Sequence, residues 1–385
     1  MRICMLSSVH LVYDPRIYQK EARTLARAGF DVVVIAREDS AGEPADGVRI
    51  LPLSAARSRL RRMLGTLQVG YMALRERADL YAFHDPELIP IGILLKLFTG
   101  RRVVYDIHEI VHQQILTKEW LPRPLARAAA TLYRLVERTA LPLLDGLVLV
   151  VPGQVKYYSS YNTRTVRNFP LLTYAAMEAE AAAGVPSAPA AADRPTLVYT
   201  GSVRRIRGLY EMLELVDRLR RRLPDVLLRL VGPIVPAAEL AQVEQLIASR
   251  QMGANVELFG RVSHREVHHQ IVRADVGLAL IHPDPTYRDA LFVKAFEYMM
   301  MGRPFVVSNT PQWEEITAAT GSGLAVDPLD ADAVEAAALQ LLADPGLRRD
   351  MGQRGREAVA SKYNWGVEGE KLISFFRELT TAVPA

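Results

Sequence analysis

The chain has 385 residues, half of them apolar and 23% charged, a globular composition long enough for two domains of roughly 150–200 residues each. Forty-seven basic residues against 43 acidic ones leave a formal charge of +4, too small and too dispersed to make nucleic acid the main partner. The single cysteine, Cys4, excludes a disulfide framework and a cysteine zinc site; no apolar run reaches the ~18 residues that span a bilayer, and Lys96 interrupts the best, Leu88 to Phe98.

The N-terminus goes directly into a strand-like run, Ile3 to Leu6, with no cleavage pattern behind it. A cytoplasmic enzyme, at most peripheral on the inner membrane face, is therefore expected. Asp14 to Ala28 has helical spacing (Ile17, Ala22, Leu25, Ala26) and stops at Gly29, and Phe30 to Ile35 is a buried strand. The alternation continues with strands near 48–53, 80–83, 103–105 and 147–151 and helices near 60–77, 88–97 and 125–140. Such βα rhythm predicts a parallel sheet with right-handed crossovers. It breaks at Asn168-Phe169-Pro170, and 174–194 is rich in Ala and Pro, as a linker or loop would be. The rhythm then restarts, with strands at 196–199, 226–231, 256–259, 276–281 and 305–308 and helices at 209–222, 237–249, 264–273 and 293–301; 331–379 reads as helical, broken at Asn364-Trp365-Gly366. The fold class expected is α/β, two doubly wound halves facing across a cleft. The halves are 1–168 and 195–360, joined by 169–194, with 361–385 returning toward the first half.

The first βα turn, Ser7 to Asp14, contains no glycine, so it cannot be the tight dinucleotide-binding turn. The second half opens with Thr200-Gly201-Ser202-Val203-Arg204-Arg205-Ile206-Arg207-Gly208. Three arginines on a loop leading into a helix N-terminus suit a diphosphate, though a solvated basic loop has the same composition. The run Tyr287 to Pro304 follows a strand and opens a helix ending near Gly302. Its loop thus lies at the carboxyl edge of the sheet, where such folds bind ligands. Free amides near Phe292 and Val293, with Lys294, would meet anionic oxygens. Asp289 and Glu297 flank that turn as acceptors for vicinal hydroxyls, the pattern a nucleotide sugar needs. An amphipathic helix with ordinary surface charges is the plainer alternative.

These segments together resemble the bacterial retaining glycosyltransferases of family 4, which have the GT-B fold. Asp289-x7-Glu297 is similar to the family's E-x7-E signature, within Lys294-Ala295-Phe296-Glu297-Tyr298-Met299. Gly201 to Gly208 is similar to its glycine-then-basic loop, and Arg167-Asn168-Phe169-Pro170 to the end of its interdomain segment. In the first half, 14–22, His84-Asp85-Pro86-Glu87-Leu88 and Val104-Tyr105-Asp106-Ile107-His108-Glu109 look like the family's segments. The likeness covers nearly the whole chain apart from 174–194. It implies that Glu297 holds the ribose hydroxyls, that Arg207 grips the diphosphate with Arg204 or Arg205 sharing the role, and that Asp289 contacts the transferred sugar. It also implies that His108 faces that sugar. Three positions depart from the pattern: Asp289 stands for a glutamate, Ser202 for a basic residue, and Phe292 for a frequent glycine.

The implied reaction is transfer of a hexosyl unit from a UDP- or GDP-linked sugar to an acceptor hydroxyl with retention, with no cofactor and no metal, in glycan, glycolipid or glycosylated-metabolite synthesis. A nucleotide-sugar epimerase of the same fold and a non-catalytic nucleotide-sugar-binding subunit are the alternatives. Arg16, His84 and Glu109 are the acceptor-side candidates. His264 and His268, four apart with His269 adjacent, have zinc-compatible spacing, but no third acidic or cysteine ligand is evident, so a solvated helix face is expected. Segment 57–67, with Arg57, Arg59, Arg61 and Arg62 among leucines, fits an anionic membrane surface or a core-packed helix with snorkelling arginines. Tyr363 and Trp365 are expected as packing anchors where the chain returns toward the first half.

Overall fold

The computed structural model of the chain describes residues 1–38, 45–53, 59–118, 121–172, 194–284 and 287–381, without the side chains of 59–64. It divides into unit 1, Met1–Asn168 with Trp365–Ala385, and unit 2, Phe169–Asn364.

Unit 1 is built on a seven-stranded, all-parallel sheet: β1 (Arg2–Leu11), β2 (Asp31–Arg37), β3 (Arg49–Leu53), β4 (Leu80–Phe83), β5 (Arg102–Ile107), β6 (Gly146–Leu149) and β7 (Thr163–Thr165), in the order β3-β2-β1-β4-β5-β6-β7. Strands buried on both faces need continuous apolar runs, and Ile3–Leu6, Val32–Ala36 and Leu80–Phe83 are buried throughout. The order reverses between β1 and β4, so the loops leaving their carboxyl ends diverge and open a crevice. The final helix, Trp365–Thr381, belongs to this unit; the Trp365 indole donates to Thr24 Oγ1 at 2.8 Å, and Glu368 accepts the Arg167 amide at 2.8 Å. Trp365 and Gly366, read as a break, are instead its first two residues.

Unit 2 has a six-stranded parallel sheet: β8 (Thr196–Thr200), β9 (Leu227–Val231), β10 (Val256–Leu258), β11 (Val276–Ala279), β12 (Phe305–Ser308) and β13 (Gly323–Val326), ordered β10-β9-β8-β11-β12-β13. Alternate residues feed opposite cores, as the period of two requires: Leu197 and Tyr199 enter one, Val198 the other. The reversal here lies between β8 and β11, the strands that precede the arginine-rich loop and the Asp289–Glu297 segment.

Several expectations change. Asp14–Ala28 is not one α-helix: a π-helical stretch, Ile17–Ala22, precedes an α-helical one, Arg23–Arg27. The segment after Ala331 contains a second break, because Asp344 accepts from Leu347 N and starts a new helix, Pro345–Ser361. Helix Pro311–Thr320 and edge strands β7 and β13 were not anticipated, being short and weakly patterned. Phe169, assigned to the linker, is buried in unit 2, its ring 4.7 Å from Phe296 and 5.5 Å from Tyr363. Most of that linker, 173–193, lies outside the described residues, as do Arg57 and the side chains of Arg59, Arg61 and Arg62. Among the described residues no helix is long and apolar enough to cross a membrane.

Candidate functional site

In unit 2 the loop after β8 is shaped by two glycines in the left-handed region. Gly201 has φ +98° and Gly208 φ +82°. A Cβ on Gly208 would lie 2.1 Å from the Leu280 carbonyl oxygen, so the loop end sits directly on β11's exit. A Cβ on Gly201 would meet the Lys294 side chain first, Nζ at 3.8 Å and Cε at 4.0 Å, so the loop backbone there lies beside a cation. Arg207 Nη1 donates to Ser202 Oγ at 3.0 Å and Tyr199 OH donates to the Ser202 carbonyl at 3.0 Å, which aim the arginine back over the strand end. Ser202, which replaces a basic residue in the motif, thereby orients Arg207.

Lys294 is the unusual residue. Its Nζ is buried, stands 3.4 Å over the Tyr199 ring centroid, and has no hydrogen-bond partner among the described residues. Burial, then repulsion from Arg207, push it well below the ordinary lysine range; Glu297 opposes this. An unpaired buried cation is costly, and an anion placed between Lys294 and Arg207 would remove that cost. Lys294 lies in the first turn of helix Val293–Met300, where no side chain caps the amides and the dipole favours negative charge. Phe292 itself points away: it is buried, stacked 5.8 Å from Trp313, so only its backbone is available to a ligand. Val293 opens the helix and is half-buried. Asp289 accepts from the Gln312 amide at 3.2 Å. Tyr298 receives the Thr200 amide at 3.2 Å and donates to the Leu278 carbonyl at 3.1 Å, tying the helix to β8 and β11.

The three arginines part company. Arg204 is exposed. Arg205 is drawn outward, 4.7 Å over the Tyr210 ring and 3.6 Å from Glu239, so of the three only Arg207 joins Lys294. His282, whose amide donates to the Ile206 carbonyl at 2.9 Å, holds Glu211 at 3.0 Å beside the loop. The expected solvated face for His264 and His268 is corrected: His268 is buried, and Glu297 supplies the acidic neighbour, its carboxylate 4.0 Å from His264 Nε2.

In unit 1 the crevice at β1 and β4 holds a buried charge cluster. Asp106, at the end of β5, takes Arg16 side-on, from Nε at 3.1 Å and Nη2 at 3.2 Å. Asp14 accepts from the Arg16 and Ile17 amides at 2.8 and 3.0 Å, starting the π-helical turn. That turn brings Glu21 round so that its carboxylate lies 2.9 Å from Arg16 Nε, five residues on rather than four. Two carboxylates therefore share one buried guanidinium. Burial works against Asp106, but Arg16 and then His108 hold it well below the ordinary range; Glu21 is raised, by burial first and Asp106 second.

Arg16 and His84, acceptor-side candidates by sequence, are both interior. Arg16 is buried in this cluster and donates also to the Val166 carbonyl at 3.2 Å. His84 has a fully buried side chain, Nδ1 3.3 Å from Asp106, and burial lowers its pKa. His108 differs: its side chain is 22% exposed while Nε2 lies 3.2 Å from Asp106 Oδ2, so it is oriented yet accessible. Glu109 is exposed and accepts from Gln114. His10 sits 5.5 Å from the His108 ring and 3.0 Å from Asp14, whose hydrogen bond raises it. Asp85 Oδ2 accepts from Ser7 Oγ at 2.7 Å and Ser8 N at 2.6 Å, pinning the end of β1.

Two family profiles match the chain: the one described as glycosyl transferases group 1 over residues 186–358, and the glycosyl transferase 4-like domain over 16–171. The chain belongs to the GT-B glycosyltransferases of family 4. Its fold matches sucrose-phosphate synthase from Thermosynechococcus elongatus (TM-score 0.74, 21% identity, 99% of this chain and 100% of that one). It also matches HepE of Anabaena in complex with UDP (TM-score 0.67, 11% identity, 98% and 99%). In sequence it is 26% identical over 187 residues to the alpha-D-kanosaminyltransferase of Streptomyces kanamyceticus, covering 49% of this chain and 46% of that one. It is 27% identical over 188 residues to a GDP-mannose-dependent phosphatidylinositol monomannoside mannosyltransferase of Mycolicibacterium smegmatis, covering 47% of each. The chain thus spans about half the length of the curated relatives it matches.

Within this glycosyltransferase, sequence reading missed Asp106, Glu21, Tyr199 and Ser202 as working neighbours. Asp106 was visible two residues before His108 at a strand end; Glu21 was not, because a regular helix would have carried it away from Arg16.

Proposed function

We propose that the protein transfers a hexosyl unit from a UDP- or GDP-linked sugar to an acceptor hydroxyl with retention of configuration, as a cytoplasmic, metal-independent enzyme of glycan, glycolipid or glycosylated-metabolite synthesis. The observation that carries this reading is the buried Lys294 ammonium, without a hydrogen-bond partner among the described residues, beside Arg207 and the Gly201 backbone. A diphosphate matches these cations in charge, with Glu297 three residues along the same helix to accept the ribose hydroxyls. The relatives named for GDP-mannose and the fold neighbour bound to UDP support a nucleoside diphosphate and leave the base open.

In this reading the bond from the anomeric carbon to the diphosphate breaks first. Charge growing on the leaving oxygens is met by Arg207, Lys294 and the helix amides. The acceptor hydroxyl adds on the face the diphosphate leaves, and its proton passes to a departing phosphate oxygen. Asp289 takes a hydroxyl of the transferred sugar. In unit 1, Asp106 fixes the Nε2 side of His108 and leaves Nδ1 for a sugar hydroxyl.

An anionic membrane surface is the proposed setting for the acceptor, but not through 57–67 alone. Helix Arg123–Ala140 exposes Leu125, Leu132 and Leu135 beside Arg127, Arg134 and Arg138, while its one acid, Glu137, is buried. The neighbouring helix Ile89–Thr99 exposes Leu97 and Phe98, the latter by 75%. Apolar side chains interleaved with arginine fit a lipid headgroup boundary.

The test is donor binding and turnover in variants. Glu297→Ala should weaken nucleotide-sugar binding at least tenfold; unchanged affinity would remove Glu297 from the donor site. Arg207→Ala should lower kcat by about 10²–10³ with a smaller effect on nucleoside binding. Full turnover in that variant, or conversion of the sugar without any acceptor, would sink the reading.

A further inference from the structure

The described residues contain two groups of histidine and carboxylate whose ligand atoms lie within 4.8 Å of one another: His84, Asp106 and His108 in unit 1, and His264, His268 and Glu297 in unit 2. Electrostatics separates them. Asp106 is already engaged side-on by the buried guanidinium of Arg16, and a divalent ion there would face that cation in a low-dielectric interior. In the second group no guanidinium among the described residues takes Glu297 side-on; its carboxylate lies 4.0 Å from His264, and its side chain is 14% exposed.

His264 and His268 are one turn apart on helix His264–Val272, so they project from one face. Their ring centroids are 4.5 Å apart. Glu297 comes from a different helix, Val293–Met300, which is why spacing along the chain shows two ligands and never the third. His268 is buried, whereas the His264 side chain is 45% exposed. Ligand bonds of about 2.0–2.2 Å require only a modest closing of the present separations. Two imidazoles and one carboxylate, with a fourth position open on the exposed side, is a donor set for zinc and its transition-metal neighbours; magnesium and calcium prefer all-oxygen sites.

We propose that His264, His268 and Glu297 form a binding site for a divalent transition-metal ion of the zinc type, and that occupancy excludes the nucleotide sugar. The second clause rests on the reading of Glu297 as the ribose acceptor: a carboxylate drawn onto an ion beside the histidines loses the pose and much of the charge with which it would accept two hydroxyls. The site would make an enzyme that needs no metal for turnover sensitive to inhibition by one.

The experiment uses the full chain. Cobalt(II) is titrated and its visible absorption recorded, zinc affinity follows from competition, and UDP and GDP are then added. Expected are the bands of a low-coordinate cobalt site with zinc displacing the ion, at least tenfold weaker zinc binding in His264→Ala, and release of cobalt by the nucleotide. His268→Gln serves as a second variant, with circular dichroism checking that the buried position still folds. Zinc binding weaker than about 1 mM, or unchanged by His264→Ala and by His268→Gln alike, overturns the site. Ion binding that depends on both histidines but is indifferent to nucleotide overturns the exclusion and leaves the site standing. Nucleotide affinity measured with a chelator present reports the donor reading separately.

Discussion

Lys294 carries a proton balance with it. Its ammonium is disfavoured by burial and by Arg207 in the free protein, and a bound diphosphate would favour it, so ligand binding should take up a proton. The sign follows: below the lowered free-state pKa the affinity for UDP or GDP is flat, and between the free and bound pKa it falls as pH rises, by at most tenfold per unit. Calorimetry in buffers of different ionisation heat measures the uptake, and Lys294→Met should abolish it while weakening binding; an uptake that survives the substitution belongs to another group. Asp106 makes a stability prediction of the opposite sense. Its depressed pKa means its contribution is fully present above the ordinary aspartate range and lost as pH falls through its own. Asp106→Asn leaves Arg16 buried with Glu21 alone, and should cost about 3–5 kcal/mol, read as a lower midpoint in urea unfolding; a cost under about 1 kcal/mol would mean Glu21 takes over the pairing.

At the scale of elements, the two loops leaving the sheet reversals do the positioning, and each depends on a backbone departure. In unit 2, Gly208 combines φ +82° with contact against a carbonyl oxygen that cannot move aside. Gly208→Ala should therefore cost about 2–3 kcal/mol and lower turnover with it, since Arg207 is the preceding residue; an unchanged melting temperature would show that the loop has room to shift. In unit 1 the departure is the π-helical turn, which sets Glu21 against Arg16. Helical periodicity located this segment correctly and mistook its winding, because the apolar positions Ile17, Ala22 and Leu25 satisfy either pitch. The glycine–arginine loop could be found from composition; which arginine turns inward could not. Tyr210 and Glu239 take Arg205 outward, and both belong to elements later in the chain.

At the scale of the molecule, two similar sheets do different work. Unit 2 gathers cations at its reversal point, and unit 1 gathers a buried ionic cluster crowned by the accessible His108. Unit 1 also carries the arginine-and-leucine helix layer. Vesicles containing anionic lipid should bind the full chain more tightly than zwitterionic ones, and Leu132→Asp with Leu135→Asp should abolish the difference without lowering the melting temperature. Equal binding to both vesicle types would instead assign that face to a protein partner or a second copy.

Alternating apolar runs and helical periods are local, so the sequence by itself determined the paired doubly wound sheets, the carboxyl-edge loops and the candidate segments on them. Contacts between distant elements are not local. Only the tertiary structure decided that Arg16 and His84 are interior while His108 is reachable, that Phe292 turns into the core, and that Glu297 meets two histidines from another helix. Burial and pairing decide what each of these groups can reach, and both are properties of the packed chain.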